Sequence, residues 1–313
     1  MFLTAPIVWL QSWASPGLTR TMEVISWFGY TRTALALAVL FTFAFRLRAG
    51  MALLLLLGLN SVATDVAKTT AALPRPFAVD PAVRILGWPT PEATANAGER
   101  ANAADSEAGF GFPSGHISTT VTLVAGLAIL VGAGWVRPTG VLWVTLMAVS
   151  RLYLGRHFIG DVLGGLAVGA LIVGLGMTVL RLSALARSPA RREAERAALI
   201  NAIVAAVLLG AALIAGRPDV GDTGRLAGLA VAILLLTRFG LVHLPPRPLA
   251  RAGLVILAAA SYALVWAALT FGLPTSRVAA SALPAFAMLV VPAAIASIAA
   301  RSDVTRTSDP TVF

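Results

Sequence analysis

Apolar runs of about twenty residues recur along almost the whole chain, and no other feature constrains its fold as strongly. They lie near 24–45, 51–73, 116–134, 138–154, 158–181, 197–215, 226–242, 252–271 and 279–299. Crossing the hydrocarbon core takes a helix of about 20 apolar residues, and soluble domains do not repeat such stretches. A helix also satisfies its own backbone hydrogen bonds where no water is present to do so. The sequence therefore predicts an all-α fold, a polytopic transmembrane bundle of about nine spans. Charged residues make up only 12% of the 313 residues, too few to coat a soluble fold of that size. The first 20 residues, with Trp9, Trp13 and Pro16, read as a short helix lying in the interface. They carry no positive leading region, so a cleaved signal peptide is not expected.

The basic residues report sidedness. Arg46 and Arg48 follow the first run, Arg137 the third, and Arg181, Arg187, Arg191, Arg192 and Arg196 the fifth. Arg238, Arg247 and Arg251 surround the seventh connection, and Arg301 and Arg306 lie in the tail. Strict alternation puts all of these on one side, which the positive-inside rule makes cytoplasmic. The N-terminus is then external and the C-terminus cytoplasmic. The net charge of +10 is spread between apolar segments and forms no continuous stripe, so nucleic acid is not an expected partner. Cysteine is absent, which excludes disulfides and thiolate chemistry, and three histidines without cysteine make a closed zinc site improbable. No metal and no cofactor is expected. Of the 24 basic residues only Lys68 is lysine. Either chance left it, or arginine does not serve there, since the two side chains differ in shape and hydration.

Four polar clusters stand where spans meet the external face: Lys68 and Arg75, His116, Ser150 and Arg151, and His157 with Asp161. Charge at the edge of a membrane bundle is costly and marks function by default. In GFGFPSGH (109–116), Ser114 is placed to cap the next helix, Gly115 lets a ligand approach the backbone, and His116 enters the first turn. Such a helix start suits a phosphate. In SRLYLGRHFIGD (150–161), Gly155 suits a helix end. Asp161 falls four residues after His157, on the same face of the following helix. A carboxylate on one ring nitrogen fixes the tautomer and makes the other nitrogen a better nucleophile. With Lys68, Arg75 and Arg151 as a cationic cage, two histidines can attack a phosphoryl group and protonate its leaving oxygen.

Three stretches, KTTAALPRP (68–76), PSGH (113–116) and SRLYLGRHFIGD (150–161), resemble the three motifs of the type 2 phosphatidic acid phosphatase (PAP2) family. These are a lysine separated by six residues from Arg-Pro, the PSGH tetrapeptide, and Ser-Arg followed after five residues by histidine and after three more by aspartate. All three match without substitution and in order, over about residues 22–181. The resemblance implies that His157 is the nucleophile forming a phosphohistidine, that Asp161 orients it, and that His116 is the general acid. It implies that Lys68, Arg75, Ser114, Gly115 and Arg151 hold the phosphoryl oxygens without a metal. The expected organisation is an interfacial segment (1–21), a PAP2-like catalytic membrane domain (22–185) with an external loop (74–115), a four-span extension (195–300) and a polar cytoplasmic tail (301–313).

The expected partners are membrane lipids and a lipid phosphate or diphosphate substrate, and a homo-oligomer is left open. The expected activity is phosphatase action on the external face of a bacterial inner membrane. The substrate would be of the undecaprenyl diphosphate, phosphatidylglycerol phosphate or phosphatidic acid type. A lipid or sugar hydroxyl replacing water would make the chain a phosphotransferase. A lipid transporter with a vestigial headgroup site is the reading from another class, and His116, His157 and Asp161 together speak against it. Vanadate haloperoxidases share the motifs but are soluble. Among the remaining residues, Arg156 is read as a headgroup anchor in preference to a phosphate contact, and Asp65 as a structural partner of Lys68. Asn60 is read as an interhelical hydrogen bond, His243 as a loop residue, and the acids of 77–112 as a solvated lid.

Overall fold

A computed structural model of the chain describes residues 2–87, 110–132, 134–185, 221–241, 243–271 and 276–307. The described regular structure is helical, with no strand among the described residues. Its elements are α1 (Ala5–Ser12), α2 (Pro16–Trp27), α3 (Thr31–Ala44), α4 (Leu47–Ala71), α5 (Pro76–Val79), α6 (Gly115–Val131), α7 (Val136–Tyr153) and α8 (Ile159–Leu185), then α9 (Gly221–Arg238), α10 (Pro248–Phe271) and α11 (Arg277–Thr307). The acidic stretch within 88–109 and the predicted span at 197–215 lie outside the described residues.

Among the described residues, four stretches are long and apolar enough to cross a membrane: Leu47–Val79, Ile159–Gly176, Pro248–Phe271 and Val278–Ala300. Their lipid-length apolar faces make this a membrane protein. A fifth exists only if α2 and α3, bent by 56°, count as one. The run at 24–45 is therefore not one straight helix, and it breaks where Gly29 meets two other helices. A Cβ on Gly29 would come within 2.6 Å of the His116 ring and 2.9 Å of Met147 Sδ, so the chain turns where it passes directly over α6 and α7. The run at 116–134 forms the shorter apolar helix α6, and α7 carries Arg137 and Arg151 at its two ends.

The chain divides into two compact units. The first comprises residues 1–35 and 59–176. Within it, glycines bring α8 against α6: a Cβ on Gly165 would lie 2.6 Å from Ser114 O, and one on Gly169 2.8 Å from Ser118 O. Two small residues four apart let helix backbones approach closely in a membrane. Polar side chains join α4 to α6, with Asn60 Nδ2 donating to Ser118 Oγ and Thr119 Oγ1 at 3.3 Å each. Thr64 Oγ1 lies 2.9 Å from Ser118 Oγ. The interhelical bond expected of Asn60 is thus present. Two buried apolar clusters complete the unit, one of Ile7, Phe77, Val83 and Phe158, the other of Ile117, Met147 and Val162. Phe77 packs into the protein and not outward to lipid.

The second unit comprises 36–58 and 177–313. Here α9 packs on α11 through Gly224 and Gly228, whose Cβ positions face the Val278 and Ala282 carbonyls. Arg251 ties α10 to its neighbours by donating from Nε to Pro245 O (2.7 Å) and from Nη1 to Ala44 O (3.3 Å). His243 is exposed in a connection, as a loop residue should be.

Candidate active site

Every residue singled out in the three motifs belongs to the first unit. Lys68 sits in the last turn of α4. Arg75 precedes Pro76, which disfavours helical backbone before it, so Arg75 is extended at φ −85°, ψ 160° and caps the short α5. Ser114 is extended at the N-cap of α6, and His116 follows in the first turn. Arg151 lies in the last turn of α7. Gly155, at φ +73°, takes the left-handed conformation that ends the helix and reverses the chain. No other residue type fits there easily, because a Cβ would run into Arg84 O and Gln11 Nε2. His157 then falls just before α8, and Asp161 in its first turn.

The structure brings His157 and Asp161 together, with Nδ1 3.4 Å from Oδ2 and both side chains only 2% exposed. Asp161 Oδ2 also accepts the Phe158 backbone N–H at 2.9 Å, which fixes the carboxylate against the start of α8. His157 Nδ1 makes no aligned hydrogen bond in this geometry, and such contacts tighten when a substrate arrives. Burial, followed by the Arg151, Arg75 and Lys68 charges and by His116, holds the His157 imidazole well below the ordinary histidine range. It is the neutral, nucleophilic form that this environment favours. The ring's far nitrogen, Nε2, is the one not facing Asp161.

Cations surround the pair. Lys68, Arg75, Arg151 and Arg156 all act electrostatically on His116, and Lys68 and Arg75 on Asp161. Arg75 and Arg151 are 8% and 6% exposed. Lys68 Nζ donates to Phe110 O at 3.2 Å, and Arg151 Nη1 to Ser26 Oγ at 2.6 Å. Arg156 is also only 6% exposed, which corrects its reading as a headgroup anchor: its guanidinium is inside the protein on the site's flank. Asp65 acts on Lys68 with opposite sign, as a structural partner does.

Ser114 occupies the N-cap of α6 but its hydroxyl makes no capping bond. The expectation of a side-chain cap fails: the hydroxyl is buried with no protein partner. His116 Nε2 is likewise buried and unpartnered. The Tyr30 ring lies edge-on to His116 at 4.6 Å. A Cβ on Gly115 would meet only Thr64 Cγ2, at 3.6 Å, so the protein itself leaves room there.

Several neighbours carry no sequence signal. Ser26, Met22, Tyr30 and Gln11 approach the motifs from the first two helices and the turn after them, more than 80 residues away in sequence. Gly111 is held by its N–H to Leu73 O at 2.8 Å and lies over the Asp161 carboxylate. Among the described residues, no three His, Asp or Glu side chains gather as a metal site would require.

Residues 49–184 match the family model described as the PAP2 superfamily. That stretch contains all three motifs and excludes α1, α2 and the helices from α9 onward. Neither the curated proteins nor the solved structures provide a match to the chain.

Proposed function

Residues 49–184 belong to the PAP2 superfamily, whose members are generally phosphatases, and on that premise we propose that the chain is a membrane lipid phosphatase. The observation that carries the reading is a buried His157 and a half-buried His116 inside one cage of cations. Ser114 Oγ and His116 Nε2 are buried with no protein partner, and the cations act on His116. Such donors serve the oxygens of a transferring phosphoryl group, where charge develops during the reaction.

In the proposed mechanism His157 Nε2 attacks phosphorus while the bond to the leaving oxygen breaks. His116 gives its proton to that oxygen, so the alcohol or phosphate departs neutralised by one charge. Asp161, facing Nδ1 at 3.4 Å, stabilises the positive charge that grows on the imidazole. Neutral His116 then takes a proton from water, whose oxygen bonds to phosphorus as the P–N bond breaks. Phosphate leaves and His157 is restored. Lys68, Arg75, Ser114, Gly115 and Arg151 hold the non-bridging oxygens, and no step calls for a metal.

The substrate class is a lipid phosphomonoester or diphosphate of the undecaprenyl diphosphate, phosphatidylglycerol phosphate or phosphatidic acid type. The distribution of arginines supports a site on the external face of a bacterial inner membrane with the C-terminus in the cytoplasm. The test is phosphate release by the purified protein from a panel of these lipids, with and without EDTA. Release insensitive to EDTA and abolished by His157→Ala is expected; full activity in His157→Ala would sink the mechanism.

A further inference from the structure

Helices α1 and α2 lie outside the family match, which begins at residue 49, yet they reach its third motif through side chains. Arg151 Nη1 donates to Ser26 Oγ at 2.6 Å, and Ser26 is 4% exposed. One residue earlier, Ser150 Oγ donates to the Met22 carbonyl at 2.7 Å. Two residues later, the Tyr153 hydroxyl lies 2.8 Å from Thr19 Oγ1. Met22, Ser26 and Thr19 are three or four residues apart and so share one face of α2. That face meets the last turn of α7 at successive positions.

Gln11 in α1 does the equivalent for the turn that follows. Its amide donates from Nε2 to Tyr153 O (3.0 Å) and to Arg84 O (2.7 Å), and its Oε1 accepts the Arg84 N–H at 2.9 Å. The Arg84 guanidinium donates in return to Gln11 O. Gly155, in the left-handed conformation, lies directly against these groups. Gln11 is 2% exposed and its bond to Tyr153 O is buried, where an unmade one is expensive. A purely membrane-anchoring segment has no need of buried polar contacts directed at one turn.

We infer that α1 and α2 are a positioning element of the active site, in which Ser26 aims the Arg151 guanidinium and Gln11 fixes the turn that delivers His157. The inference rests on the function proposed above and adds positioning residues to it. Ser26 touches neither substrate nor reacting atoms. It accepts from one arm of a planar guanidinium, which leaves that group only rotations that keep the bond. Removing the hydroxyl takes away this restraint on the Arg151 guanidinium, and a fork that is less preorganised binds a tetrahedral oxyanion less well.

The test uses the full-length protein in detergent micelles, with orthovanadate as the oxyanion probe. Ser26→Ala raises the Ki of orthovanadate and the KM for lipid phosphate by roughly tenfold, the usual worth of one hydrogen bond to a charged group. Ser26→Thr, which keeps the hydroxyl, restores both. Gln11→Ala lowers kcat more than it raises KM, because it loosens the turn carrying the nucleophile. Thr21→Ala, whose exposed hydroxyl bonds only Gly17 O of its own helix, keeps wild-type constants. Wild-type Ki and KM in Ser26→Ala overturn the inference, as does a Ser26→Thr variant no better than Ser26→Ala. Should Ser26→Ala fail to fold, Ser26→Cys, with similar volume and a weak sulfur acceptor, carries the same expectation. A wild-type protein that releases phosphate from no lipid sinks the function reading instead. The rise in melting temperature on adding orthovanadate then still compares Ser26→Ala with wild type without any turnover.

Discussion

Gly111→Ala probes the packing between the first and third motifs without changing a residue of either. The new methyl carbon would sit 2.9 Å from Pro74 O, 3.0 Å from Asp161 Oδ2 and 3.5 Å from Arg75 Cα. Position 111 is not among the positive-φ glycines, so the backbone conformation suits alanine and the effect is steric alone. Carbon–oxygen contacts relax near 3.4 Å, so the methyl must open a gap of about half an ångström. Pro74 O is backbone and cannot rotate away. Gly111 itself is tied to Leu73 O at 2.8 Å. The softer neighbour is the Asp161 carboxylate, and moving it disturbs both its Phe158 N–H bond and its 3.4 Å approach to His157. Overpacking of this kind costs about 1–3 kcal/mol of stability. A 1 Å misplacement of catalytic groups costs about a hundredfold, so half of that predicts roughly a tenfold fall in kcat. The assay is kcat and KM for phosphate release, read beside the melting temperature. Gly115→Ala is the contrast, because its methyl meets only Thr64 Cγ2 at 3.6 Å. That variant keeps the wild-type melting temperature and loses activity through the ligand's side of the residue. Wild-type kcat in Gly111→Ala would refute the claim that Asp161 is held where the chemistry needs it.

Two further outcomes follow from local physics. The folded His157 imidazole titrates well below its ordinary value, so an unfolded chain, with a histidine near about 6.5, takes up a proton that the folded one refuses. Stability is then full above that value and falls as the pH drops below it; melting temperatures at about pH 5 and about pH 7.5 should differ less in His157→Gln than in wild type. Gly155→Ala should lower the melting temperature more than Gly132→Ala. Both glycines have φ near +70°, at +73° and +72°. A Cβ at 132 meets nothing within 4 Å, whereas one at 155 collides with the Arg84 carbonyl. Equal losses would show that the Arg84 contact does not matter.

What the sequence made legible were features set by short spacing or by length. Apolar runs reported helices, a four-residue interval put Asp161 beside His157, and a glycine before a histidine announced the reversal at Gly155. Asn60 was readable because a lone amide in an apolar helix needs a partner. The illegible parts depend on contacts distant in sequence. Nothing in the composition of α2 says that Ser26 will meet Arg151, which is 125 residues away. The break at Gly29 is invisible to hydropathy because what Gly29 meets, the His116 ring and Met147, lies in other helices. Arg156 misled for a related reason. A charged residue at a span end reads as interfacial by default, whereas the tight turn at Gly155 carries this one inward. Position puts the Ser114 hydroxyl at the cap, but short spacing does not show that it stays buried without a capping bond.

The lone lysine acquires a physical account from the same geometry. Arg75 and Arg151 repel the Lys68 charge, while Asp65 and Asp161 attract it. Four cations, Lys68, Arg75, Arg151 and Arg156, thus share a small volume with two carboxylates, and close like charges in a low dielectric are costly. A bound dianion offsets two of those charges, so the arrangement favours a phosphoryl group over a neutral or singly charged ligand of the same shape. Lys68 must meanwhile also hold the Phe110 carbonyl at 3.2 Å, just ahead of the Gly111–Ser114 stretch that leads into α6. An ammonium has three donors around one small centre, so one can go to the carbonyl while the others face the anion. A guanidinium spreads its donors over a plane and is no compact point charge. Of the 24 lysines and arginines the only lysine is Lys68, at the position where one compact charge holds the Phe110 carbonyl and, in the proposed mechanism, a substrate oxygen.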